Sequence, residues 1–181
     1  MDRRRALKTS TVLLAAPVAA TQLAGCTGPL KAFTSWAQAR EAVHGLLLDE
    51  KVVDGNPWNL TQVLQHLAQS IEFSMQGFPA LKGAWFRSTL GSAAFAVFNA
   101  RGAMGHSLDE PIPGAPALDS AKPLNTSVQR LLDAMDAFGR FNGTLRPHFA
   151  YGELTKPQYE RAHLMHLANH WTQFQAKTAT A

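Results

Sequence analysis

Cysteine is almost missing from this 181-residue chain: Cys26 is the only one, which excludes an intrachain disulfide and leaves packing and polar pairing to hold the fold. Charge is sparse as well. Only 17% of residues are charged and 46% are hydrophobic, a balance that excludes an intrinsically disordered chain and allows one well-filled core. The formal net charge is +4, but it is unevenly placed. Arg3, Arg4, Arg5 and Lys8 all precede residue 26 with Asp2 as the only acid there, and the remainder carries 13 basic against 12 acidic residues, a net of +1. No basic stripe interleaves with aromatics, so the sequence argues against nucleic acid as a partner. No window alternates apolar and polar residues for long, and there is no internal repeat, so a sheet is not expected.

What stands at the start has the three parts of a secretory signal: Met1-Asp2-Arg3-Arg4-Arg5, an apolar run from Thr11 to Ala20, then Leu23-Ala24-Gly25-Cys26. The apolar run is too short for a stable transmembrane helix. Arg3 to Lys8 resembles a twin-arginine export signal, with Ala6 where that pattern usually carries Phe, and the Sec route stays open. Leu23 to Cys26 resembles the bacterial lipobox, in which the cysteine is acylated after cleavage just before it. The expected organisation is therefore a cleaved signal over 1–25, lipidation at Cys26, a tether over 26–33, and one helical domain over 34–181. The mature protein is expected outside the cytoplasm, on the periplasmic side of a bacterial membrane.

Five stretches carry helical spacing. The first spans Thr34 to Glu50, with Thr34 or Ser35 as cap. The second spans Asn59 to Gln76, with Leu60, Val63, Leu64, Leu67, Ile71 and Met75 on one side, and Gly77 and Pro79 stop it. A third, Ala84 to Arg101, mixes aromatics with the small residues Gly91, Ser92, Ala93, Ala94 and Ala96, which would admit a close neighbour. Gly102 to Leu124 holds Pro111, Pro113, Pro116 and Pro123 and reads as a long crossover loop. The fourth helix runs from Thr126 or Ser127 to about Asn142. The last begins with Thr155 as N-cap, Pro157 in the first turn and Gln158 at the capping-box position, and is expected to reach Lys177. These elements predict an all-α bundle of four long helices plus a short one or two.

Three of the seven histidines, His163, His166 and His170, lie within the last helix at offsets that put them on one stripe. Imidazole is a common ligand for Zn, Ni and Fe, and His66, set between Leu64 and Leu67, is the natural contributor from a facing helix. A solitary His66 would more readily read as a carbonyl-bonded core residue; the cluster favours a divalent metal. His166 and His170 make the better pair, with His163 either a further ligand or a hydrogen-bonding neighbour of one. Leu167 stands where a zinc protease carries its catalytic Glu, which argues against that chemistry. Three imidazoles leave a coordination position open, as catalytic zinc sites do. His44 and His106 have no partner at useful spacing and read as surface or packing residues.

These residues resemble the DinB/YfiT-like metalloenzyme superfamily of four-helix proteins. The matching parts are His66 within Leu64-Gln65-His66-Leu67-Ala68-Gln69-Ser70, and the pair His166 and His170. Trp58-Asn59-Leu60, the run from His66 to Pro79, and Gly152-Glu153-Leu154-Thr155 are similar to one branch of it, a domain of unknown function often found in exported proteins. Phe149 departs from that pattern, which has Pro after His148; His148 is read as a solvated loop residue rather than a group at the rim of the metal site. The resemblance implies a divalent-metal-dependent enzyme, with thiol-dependent transferase or isomerase chemistry, acting on an unidentified small molecule. Ser70, Tyr151 and Glu153 are candidate acid/base groups, and Glu72 a packing or surface residue. Two other readings stay open: a non-catalytic module binding a small ligand, and a periplasmic metal-handling protein. Self-association as a homodimer is compatible with all three.

Overall fold

The computed structural model describes residues 27–49 and 51–176; Cys26 and the export signal lie outside them. The fold is mostly helical. Helix α1 (Trp36–Gly45) is capped by the Ser35 side chain and buries Ala39 and Val43. Strand β1 (Lys51–Val53) follows. Helix α2 (Leu60–Gln76) opens on a full capping box between Asn59 and Gln62 and ends at Gly77. Helices α3 (Ala84–Phe86) and α4 (Ser92–Arg101) are joined without a break by a π-helical turn, Arg87–Gly91. Helix α5 (Leu124–Arg140) buries Val128, Leu131, Leu132, Met135 and Phe138. Helix α6 (Lys156–Trp171) leads into strand β2 (Phe174–Ala176).

Helix α2 is the hub: it packs on both α5 and α6, and α1 packs on the same two helices. The core between them holds Val43, Leu64, Val128, Leu131, Met135, Phe138 and Tyr159. A smaller cluster of Phe95 with Ala162 and Met165 attaches α4 to α6.

The expectation of no sheet is corrected. Strands β1 and β2 pair antiparallel, with Val52 opposite Gln175. Strands of three residues are too short to leave an alternating pattern in the sequence. The same pairing explains why the last helix stops at Trp171 rather than Lys177: β2 needs extended backbone to meet β1. The first helix likewise ends at Gly45 rather than Glu50. The fourth starts at Leu124, directly after Pro123, instead of Thr126 or Ser127.

The proline-rich loop has no regular structure, yet α2 holds its later part, from Pro116 to Lys122. Thr61 Oγ1 donates to the Lys122 carbonyl (2.9 Å), Gln69 Nε2 to that of Pro116 (3.0 Å), and Gln65 both donates to the Asp119 carbonyl and accepts from the Asp119 N–H. Buried glutamines are thus satisfied by loop backbone that prolines have kept out of helix and sheet. Ile112 is drawn into the core, and the first part of the loop reaches α6, where Asn169 Nδ2 lies 3.5 Å from the His106 carbonyl.

The stretch 26–33, expected as a tether, is packed from Gly28 onward. Gly28 N–H donates to the Asn99 carbonyl, Lys31 N–H to that of Gly102, and Arg161 bonds the Gly28 carbonyl and both Asn99 oxygens. A Cβ at Gly28 would sit 2.0 Å from the Ala100 oxygen and one at Gly102 1.8 Å from the Pro29 oxygen, so only glycines permit this backbone contact.

Thr155→Ala tests how far the cap holds α6. The Thr155 side chain accepts from Gln158 N–H in a complete capping box, and its loss is expected to cost about 1 kcal/mol. Thermal unfolding should then fall by roughly 2–4 °C; an unchanged transition would mean the helix start is held by tertiary packing alone.

Candidate metal centre

His66 projects from the middle of α2, and His166 and His170 from successive turns of α6. Their Nε2 atoms converge: His66 to His166 is 3.2 Å and His170 to His166 is 3.2 Å. One ring nitrogen from each of the three lies within 4.8 Å of the others, and these three histidines could hold a metal ion. Their ring centroids are 4.9 to 5.2 Å apart. Bonds of about 2.0–2.1 Å at a tetrahedral angle would put two ligand nitrogens about 3.3–3.4 Å apart, close to the two shorter separations.

Hydrogen bonding among the rings accounts for this arrangement poorly. An imidazole nitrogen carries either one N–H or one lone pair, so His166 Nε2 would have to split its one bond between two rings at equal distance. His66 Nδ1 and His170 Nδ1 are buried with no hydrogen-bond partner among the described residues. Burial also keeps the rings uncharged. It lowers the His66 imidazole to about 4 and that of His170 to about 3, with His106 adding repulsion in both cases and His66 adding it at His170. His166 is held well below its ordinary value by burial first and then by His170, His66, His106 and His163. At neutral pH all three offer lone pairs. Trp58 packs beside His66, with ring centroids 5.1 Å apart.

A cavity of about 210 Å³ adjoins the cluster. His66 and His166 form one wall; Phe86, Gly91, Ala94, Met104, Ile112, Phe149 and Tyr151 make most of the remainder, with Lys82 and Glu110 at the exposed rim. The π-helical turn brings Phe86 and Gly91 to this wall. A Cβ on Gly91 would lie 1.8 Å from the Ala150 oxygen, so Gly91 admits the 148–152 loop, while Ser92, Ala93 and Ala96 are exposed rather than packed on a neighbouring helix. Gly91→Ala is expected to cost about 1–3 kcal/mol through overpacking against backbone that has no rotamer to yield. It should also lower affinity for whatever fills the cavity; a melting temperature within a degree of the parent would contradict this close approach.

The remaining sequence candidates are distributed as follows. His163 does not join the three-ring cluster; it stacks on Tyr159, lines the cavity, and its buried Nε2 has no partner among the described residues. Burial lowers its imidazole to about 3. Ser70 is buried and lines the cavity, as does Tyr151, whose phenol is pushed up to about 12 by burial and stays protonated. Glu153 is exposed and outside the cavity lining. Glu72 makes a two-pronged pair with Arg130 (2.9 and 2.7 Å) away from the cavity.

Two histidines need correction. His148 is not a solvated loop residue: it is 8% exposed. The tight 148–152 turn, closed by mutual backbone bonds between His148 and Gly152, folds its ring flat onto Tyr151 at 4.2 Å. Its Nδ1 accepts from the backbone N–H groups of Ala150 and Tyr151, so Nε2 carries the proton on the cavity this residue lines. Burial, then His163 and His106, lowers its imidazole to about 3. His106 is exposed but not isolated, with its ring 5.1 Å from that of His166. Its Nδ1 lies 2.6 Å from the Ser107 carbonyl, which can only accept, so Nδ1 carries a proton. Five of the seven histidines thus line one cavity, and His170 completes the three-ring cluster beside it; only His44 stays apart on the surface. No local spacing could reveal His106 and His148, because the proline-rich loop and the 148–152 turn bring them in from distant sequence. The one available signal was the number of histidines in a chain so poor in other titratable groups.

A helical domain with a buried triple-histidine cluster beside an apolar cavity is the class that fold and site define. The family described as "Protein of unknown function (DUF1569)" matches residues 30–177, and the chain belongs to that family. No curated protein and no solved structure matches it.

Proposed function

We propose that this protein binds one divalent cation, Zn, Ni or Fe, through His66, His166 and His170, and uses it in an enzymatic reaction on a small molecule held in the adjoining cavity. The observation that carries the reading is the convergence of His166 Nε2 on two other imidazole nitrogens, each 3.2 Å away and close to the spacing of ligands on one tetrahedral ion. A shared cation accepts all three lone pairs at once. The resemblance to DinB-like four-helix proteins supports the same ligand set, as does the crossing of α1, α2, α5 and α6.

When bound, such an ion supplies Lewis acidity to a thiol or carbonyl group. The chain's own residues supply the rest. Phe86, Met104, Ile112 and Phe149 exclude water from the cavity and favour an apolar substrate body. His148, with Nε2 protonated, is a hydrogen-bond donor in that cavity, and Tyr151 is a second source of an O–H. His106, at the exposed edge, turns Nε2 free of its Nδ1 bond to the Ser107 carbonyl, and its neutral form would accept a proton there. This division of labour favours enzyme over carrier, since a carrier needs no apolar chamber beside its ion.

Elemental analysis of the untagged protein tests the metal. The parent is expected to hold close to one equivalent, and His66→Ala and His170→Ala to hold far less. Equal trace amounts in all three would defeat both the enzyme and the metal-handling readings, leaving a metal-free binding module.

Export and acylation at Cys26 complete the proposal. They are supported by the tripartite layout of the leading residues and by Leu23-Ala24-Gly25-Cys26. Mass spectrometry of the mature amino terminus reads this directly: an acylated Cys26 is expected, and an unmodified one refutes the anchor.

A further inference from the structure

Around the α3–α4 helix the surface is unusually apolar. Trp85 is 70% exposed, Leu90 57%, and Leu81 and Val97 46% each. Large side chains this exposed at neighbouring positions mark a contact surface rather than ordinary scatter. Leu90 and Val97 are two helical turns apart and share a face, and the π-helical turn between brings Trp85 towards it. The outward positions between them, Ser88, Thr89, Ser92, Ala93 and Ala96, are uncharged and exposed.

Charge and chain path identify what covers this face. No Asp or Glu occurs between Glu72 and Asp109, while Lys82, Arg87 and Arg101 all fall in that interval. Glu110, across the cavity mouth from Lys82, is the acid nearest in the lining. Exposed Trp and Leu flanked by Lys and Arg, without acids, is the composition of a helix lying in a lipid headgroup region. Independently, the chain joins the fold at the end of this same helix: Gly28 is bonded to Asn99 and Arg161, and Gly102 lies against Pro29. Cys26 precedes Gly28 by two residues, a reach of about 7 Å. An acyl group there is delivered next to α4 and not to the far side of the molecule.

We propose that the Leu81–Val97 face docks on an anionic lipid surface, with Trp85 and Leu90 at the acyl boundary and Lys82, Arg87 and Arg101 facing lipid phosphates. The chamber beside the histidines, which Lys82 and Phe86 also line, then opens at that surface. The proposal rests on the anchored reading for its orientation, but its test is separate.

The full chain is mixed with vesicles of phosphatidylglycerol and phosphatidylcholine brominated on the acyl chain, and tryptophan emission is followed. Quenching of about a quarter of the emission is expected, the share of one tryptophan among four, and Trp85→Phe should abolish it while keeping the parent's melting temperature. Lys82→Glu should weaken vesicle binding several-fold, and high salt should do the same. Binding without Trp85-specific quenching overturns this proposal and leaves the anchor standing. Quenching that persists in Cys26→Ser, with no acyl group found on Cys26, sustains the docking face and refutes the anchor. A lipid-free dimer that Trp85→Phe or Leu90→Ser dissociates assigns the face to a second copy and overturns the proposal.

Discussion

His166→Ala is expected to weaken divalent-metal affinity by more than about 100-fold while costing the metal-free protein almost nothing. The two effects have one cause. His166 Nε2 is the vertex of the cluster, 3.2 Å from both other Nε2 atoms; without a cation it is a conflict, because its one bond is split between two rings whose buried Nδ1 atoms have no partner among the described residues. Removing it relieves that conflict. With a cation the same atom is a ligand, and losing one ligand of three exceeds the 10–100-fold seen on disturbing groups around a ligand. Stability shows the contrast best. At free metal near 1,000 times Kd the parent should gain about 4 kcal/mol, which for a chain of this size is roughly 8–16 °C. The variant, at the same metal concentration, should gain no more than about 1.4 kcal/mol. Equal metal-induced shifts in parent and variant would remove the three-histidine site altogether.

Chelator-treated protein should unfold in mild acid. His66, His148, His163, His166 and His170 are all held below the ordinary imidazole value of 6.5 by burial, to about 4 at His66 and about 3 at His148, His163 and His170. In the unfolded chain they return to about 6.5, so below that pH the unfolded state binds protons that the folded state refuses. Stability therefore rises with pH across this window and is lost as pH falls from 6.5 towards 3. Five such groups give a slope of up to about 7 kcal/mol per pH unit. Against a total stability of order 5–15 kcal/mol, the transition should arrive well before pH 4. His163→Leu should shallow the slope by about 1.4 kcal/mol per pH unit, and because the buried His163 Nε2 has no partner to lose, it should raise stability at pH 5. Circular dichroism across pH 7 to 3 reads both effects. A metal-free fold intact at pH 4 would mean that water reaches these rings.

The starts of α2 and α6 are written in a few adjacent residues. Thr155 with Gln158 is a capping box whose chemistry is local, so it is legible without a structure, and it is formed; the start of α2 at Asn59 is legible too, and the structure adds a box there with Gln62. The three-residue strands were not legible. Lys51 to Val53 and Phe174 to Ala176 have no period of their own and exist only because each meets the other across more than a hundred residues.

The candidate site divides in the same way. The i, i+4 spacing of His166 and His170 puts them on one face whatever the rest of the chain does, and His66 lies on the face of α2 that must be buried. Sequence by itself therefore determined which imidazoles project inward from two helices, because helical periodicity and the drive to bury apolar faces are properties of short stretches. Only tertiary structure decided that His148 and His106 join them, that an apolar cavity lies alongside, and that the exposed helix sits where the chain enters the fold. Those outcomes depend on a turn closed by two backbone bonds and a proline-rich loop held by the amides of α2. Contacts between distant segments carry no local signature.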